Sequence, residues 1–285
     1  GAKPFEIATH YMGKSFAIGV AGANHGPEDK VFTINFAGPK RVVCNFVMDG
    51  RGDPYGVNKA VTGGGHMKSH HLRPFVASVQ RGSEVLLLAS DDTTSQGGGA
   101  TKMDLACKLS HLVLPSDVKV WLEGQIAEMP AAEQGRDLTL KAPLFLRDGN
   151  VAVGIRFVAA LNGSESVPLR WVNDGVKVGA TRLTAVHSEK APTAPATVAL
   201  WVRAQENVDD AAFAEFRRAF SAAACEVKHE ADKIDIAVAG LQGRMRVAAD
   251  LKKKERLAIE GGEATPAKFL LYVNGEEIGL PVLEK

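Results

Sequence analysis

The chain has 285 residues, 45% hydrophobic and 24% charged, with a net charge of +1. That length buries a substantial core in one large domain or two modest ones. The near-neutral balance supplies no global field to draw nucleic acid or an acidic lipid surface, so no nucleic-acid partner is expected. No apolar run approaches the roughly 20 residues of a membrane helix, so no membrane span is expected either.

The opening GAKPFEIATHYMGK lacks the apolar centre of a signal peptide. Cys44, Cys107 and Cys225 are odd in number and far apart, which reads as small apolar side chains rather than a disulfide framework or a zinc set.

Taken in order, most of the chain reads as strand. In VFTINF, Phe32, Ile34 and Phe36 share one face and Val31, Thr33 and Asn35 the other, the period of a half-buried strand. RVVCNFVMDG continues in that style. FVASVQ, the turn RGSE and VLLLAS form a hairpin whose second strand is apolar on both faces. DVKVWLEGQIAEM and APLFLRDGNVAVGIRFVAA repeat the plan, turning at Glu123-Gly124 and at Asp148-Gly149-Asn150. RWVNDGVKVG, RLTAVHS and TVALWVRA follow, and KIDIAVAG, GRMRVAAD, ERLAIEGG and FLLYVNGEEIG supply the last strands.

NVDDAAFAEFRRAFSAAA departs from this pattern. Phe213, Phe216 and Phe220 recur at helical spacing, so an amphipathic helix is expected over about 208–223. Asn207 is the expected N-cap, with Asp209 and Asp210 in the first turn, where carboxylates suit the helix dipole.

The expected fold class is all-β: a large antiparallel β-sandwich, supersandwich-like, with one amphipathic helix, in a single unit over 1–285. Residues 226–285 are expected to add a terminal sheet extension. The long polar stretches, read as loops, are 49–68, 91–101, 131–137 and 189–196.

HYMGKSFAIGVAG, an aromatic-rich strand followed by a glycine-bounded loop, resembles the opening of the β-supersandwich of polysaccharide lyases, as does the later VPLRWVNDGVKVGATRLTAVHS. The heparinase II/III-like, alginate and chondroitin lyases carry such domains. The resemblance implies a polysaccharide or oligosaccharide partner, a secreted or periplasmic setting and β-elimination chemistry without a cofactor. Those lyases place an α/α toroid before the sandwich, and this chain has no helical array. It is therefore expected to be the sandwich alone, a stand-alone relative or one partnered by an N-terminal catalytic domain outside this chain.

The densest polar constellation runs from Met48 to Phe75. GGGHMKSHHLRPF alone holds three of the eight histidines. Elimination from a uronic acid needs a base, an acid for the leaving oxygen, and donors for the sugar carboxylate. Tyr55 with His66 or His70 suits the proton transfers. Arg51, Asn58, His71 and Arg73 suit substrate binding. A solvated glycine-rich surface loop has the same composition.

His66 and His70 share a face only on a helix, which Gly63-Gly64-Gly65 opposes, so no metal site is expected. His111 and His187 lie in strand-like stretches and read as structural. An exposed Trp121, Trp171 or Trp201 would favour sugar stacking, although Trp171 and Trp201 sit in strand patterns suited to the core. The competing function is a non-catalytic structural or binding domain of a larger extracellular protein. A sandwich hydrolase with paired carboxylates is a third possibility, for which no spacing in the chain offers support.

Overall fold

A computed structural model describes residues 8–21, 32–37, 42–49, 74–91, 95–96, 103–104, 107–115, 118–160, 167–174, 180–188, 196–262, 270–273 and 276–279. The chain begins with β1 (Ala8–Met12), β2 (Phe16–Ala21), β3 (Phe32–Phe36) and β4 (Val42–Asp49). Next come β5 (Phe75–Arg81), β6 (Glu84–Asp91) and two short strands, β7 (Ser95–Gln96) and β8 (Met103–Asp104). The middle holds β9 (Lys108–Pro115), β10 (Lys119–Leu122), β11 (Gln125–Ile126), β12 (Gly135–Leu140) and β13 (Leu144–Asp148). Then follow β14 (Val151–Ala160), β15 (Val167–Asn173), β16 (Ala180–Ser188), β17 (Ala196–Gln205) and the helix α1 (Asp210–Ala222). The last strands are β18 (Cys225–Glu230), β19 (Lys233–Gly240), β20 (Gly243–Asp250), β21 (Glu255–Glu260), β22 (Leu270–Val273) and β23 (Glu276–Gly279).

Two antiparallel sheets make an all-β sandwich. The first runs β1-β2-β3-β4-β9-β16-β15-β12 and the second β11-β10-β13-β14-β17-β6-β5. Alternation explains the join. Phe32, Ile34 and Phe36 of β3 face inward with Leu112 and Leu114 of β9, against Val85, Leu87 and Ala89 of β6. β6 is buried along its whole length, as its uninterrupted apolar run requires, because its other face is covered too.

That cover is α1 and a separate four-stranded sheet, β18-β19-β20-β21. Phe213, Phe216 and Phe220 of the helix and Ile236, Met245 and Val247 of the small sheet share a second core with Leu86, Leu88 and Trp201. Gly154 lets the helix approach β14: a Cβ there would stand 2.7 Å from the Phe220 ring. A buried polar knot also ties the layers. Glu84 Oε1 accepts from Trp201 Nε1 (2.9 Å) and from Arg203 Nε and Nη2 (2.9 and 2.7 Å), while its Oε2 accepts from the Leu241 amide (2.8 Å).

Three local expectations are corrected. The N-cap is Asp209, whose carboxylate accepts from the Ala212 amide at 2.8 Å. Asn207 instead adopts a positive φ of 60° in the turn after β17, and the buried Val208 is fixed by the hydrogen bond its N–H donates to Asn150 O. Within the polar stretch 131–137, Gly135 already opens β12, paired to β15 at the sheet edge. Within 91–101, Ser95 and Gln96 pair with Asp104 and Met103.

Candidate functional site

The two sheets bring several chain ends to one end of the sandwich. β4 finishes at Asp49, opposite Leu109 at the start of β9. β5 starts at Phe75, opposite Ser90 near the end of β6. β16 ends at Ser188 opposite Lys108, and β17 begins at Ala196 opposite Asp91. The segments 50–73, 92–106 and 189–195 therefore all start and finish at this end.

A polar group lies between the sheets here. Lys108 and Ser110 share the inward face of β9 with Leu112 and Leu114, and Asp91 shares the inward face of β6 with Leu87 and Ala89. Lys108 Nζ donates to the Asp91 carbonyl oxygen at 3.2 Å and stands 3.9 Å from its carboxylate Oδ2. Both side chains are only 1% exposed, so this contact bridges the two sheets away from water. His187 occupies an irregularity in β16, where the register shifts between Val186 and Ser188. There its Nε2 and Ser110 Oγ share a 2.7 Å hydrogen bond whose direction follows the imidazole tautomer.

Burial first, then the charges of Lys108 and His111, push the His187 imidazole down to about 4, so it is neutral at pH 7. His111 lies on the opposite, outward face of β9 and bonds Thr184 Oγ1 through Nδ1 at 2.9 Å.

Ser110 and His187 have the spacing of a nucleophile and its base, but Ser110 is only 1% exposed, its hydroxyl shut off from solvent. The arrangement instead holds the end of the sandwich together. The strand-borne histidines His111 and His187 are hydrogen-bonded parts of the sheets.

Tyr55, His66 and His70, and with them Arg51, Asn58, His71 and Arg73, lie outside the described residues. So does the triple glycine. Asp91, Lys108 and Ser110 are not among the site residues expected from the sequence. One signal was present: in KLSHLVL, Lys108 and Ser110 fall in phase with Leu112 and Leu114, so a polar pair occupies inward positions of a strand.

All three tryptophans are buried, Trp171 and Trp201 completely and Trp121 to 9% exposure, so no indole is offered to solvent for sugar stacking. Trp201 joins the helix-side core beside Phe220, at a ring separation of 4.6 Å. Among the described residues no three His, Cys, Asp or Glu side chains gather as a metal site would require, and no helix is long and apolar enough to cross a membrane. Cys44 is buried and its thiol pushed well up by burial, while Cys107 and Cys225 are half-buried. No protein-family model matches the chain, and no curated protein matches it in sequence.

Proposed function

We propose that this chain is a carbohydrate-associated β-sandwich module, the sugar-contacting part of a polysaccharide lyase or a degenerate relative of one, which meets an acidic or neutral glycan at the loop end of its sandwich. The observation that carries this reading is the anchoring of segment 50–73. The chain leaves the first sheet at Asp49 and enters the second at Phe75, on either side of the Asp91–Lys108 bridge. The segment holding Arg51, Asn58, His71 and Arg73 is thus tethered at both ends to a rigid, buried support, as binding loops on β scaffolds are. The sequence resemblance at HYMGKSFAIGVAG supplies the ligand class.

A glycan array probed with the full chain, followed by an ultraviolet assay for the unsaturated product of uronate elimination, tests the proposal. Binding lost in Arg73→Ala without turnover supports the module. Turnover lost in Tyr55→Phe supports a lyase with Tyr55 and His66 or His70 as its acid and base. Absence of binding to every glycan overturns it. The burial of all three tryptophans favours a second reading, a non-catalytic structural domain of a larger extracellular protein, which the same array distinguishes.

A further inference from the structure

We propose that Lys108 and Asp91 are the site of an intramolecular amide cross-link that joins the two sheets covalently. Three observations converge on this pair. Both side chains are 1% exposed. The amine is held on Asp91 itself, donating to its carbonyl oxygen at 3.2 Å with the carboxylate Oδ2 at 3.9 Å. The two residues sit at the ends of rigid strands, β9 and β6, in opposite sheets.

In water the condensation of an ammonium with a carboxylate does not proceed, because both ions are well solvated and the reactants are dilute. Here the pair is pre-assembled, which replaces a bimolecular encounter by a positioned one. Desolvation also penalises both charges. The ammonium passes one proton to the carboxylate, leaving a neutral amine beside a carboxylic acid. Lys108 Nζ then attacks Asp91 Cγ, the new C–N bond forms, and the C–O bond to the protonated hydroxyl breaks. A second N–H proton leaves with that oxygen, so one water is expelled and no oxidant or other reactant is consumed. The product amide carries no buried charge. The neutral His187 adds no competing cation beside Lys108 at pH 7.

Intact-mass spectrometry of the full-length chain, denatured and under reducing conditions, reads the result directly. The expected mass is one water below that of the sequence, with a branched peptide linking Lys108 to Asp91 after digestion. In Lys108→Arg and Asp91→Ala the full sequence mass returns. Cyclisation at Asp49-Gly50, Asp148-Gly149 or Asp174-Gly175 also removes one water, so a deficit that persists in Lys108→Arg overturns the assignment. A wild-type chain at its full sequence mass after prolonged incubation at neutral pH overturns it as well. The mass of the wild-type chain decides this even if a variant fails to fold.

Discussion

His187 makes the pH response of the molecule a residue-level question. Its imidazole is neutral in the folded state down to about pH 4, whereas in the unfolded chain it takes a proton near 6.5. Between those values the unfolded state binds more protons, so stability is complete above about 6.5 and is lost as pH falls towards 4. The loss from this residue reaches about 3 kcal/mol at most. Urea midpoints measured from pH 7 to pH 4 should fall in the wild type and fall less in His187→Gln; equal slopes would contradict the assignment.

This residue also marks the reach of the sequence. His111 and His187 were legible as strand histidines because their neighbours alternate. That His187 meets Ser110 was not, because the contact depends on cross-strand register and on an irregularity between Val186 and Ser188. The Asp91–Lys108 bridge was hidden for the same reason: it crosses between sheets, and no local spacing encodes it.

At the scale of elements, the outer layer depends on the Glu84 knot and the phenylalanine stripe. Glu84→Ala leaves Arg203, 4% exposed, with its guanidinium stripped of its carboxylate. A loss of about 3–5 kcal/mol is expected from such a broken buried pair. Replacing Glu84 and Arg203 together by apolar residues should recover much of it, and denaturant titrations of the three variants check this.

Phe220→Ala, at the contact with Trp201 and Phe145, should cost about 3–5 kcal/mol. Asp209→Ala should cost about 1 kcal/mol by removing the cap, while Asn207→Ala should cost less than Asp209→Ala because Asn207 caps nothing. Comparing the two caps by thermal unfolding tests the corrected helix start. The helix itself was legible, since three phenylalanines at i, i+3 and i+7 leave little alternative. Its first turn was not, because Asn207 and Asp209 both suit a cap and only the backbone, turned at Asn207 and extended at Asp209, separates them.

For the whole molecule, strand periodicity was enough to reveal an all-β sandwich. The third layer was less visible. The uniform burial of VLLLAS required cover on both faces, yet nothing local in KIDIAVAG or GRMRVAAD says that their strands form a separate sheet rather than extending an existing one. That separation follows from the outward face of the second sheet, which α1 and the small sheet cover together.

The outcome is a sandwich with short turns such as Gly82-Ser83 and Gly149-Asn150 at one end, and at the other the strand ends that border segments 50–73, 92–106 and 189–195, beside the Asp91, Lys108, Ser110 and His187 group. The proposed glycan site lies at this second end. Backbone hydrogen exchange of the full chain, with and without a uronate oligosaccharide selected on the array, tests it most directly. A glycan bound there should add protection at residues 45–49, 74–76, 90–91, 108–111 and 186–188, and none at the turns around Gly82 and Gly149. Protection confined to those turns, or no change anywhere at saturating oligosaccharide, would contradict it.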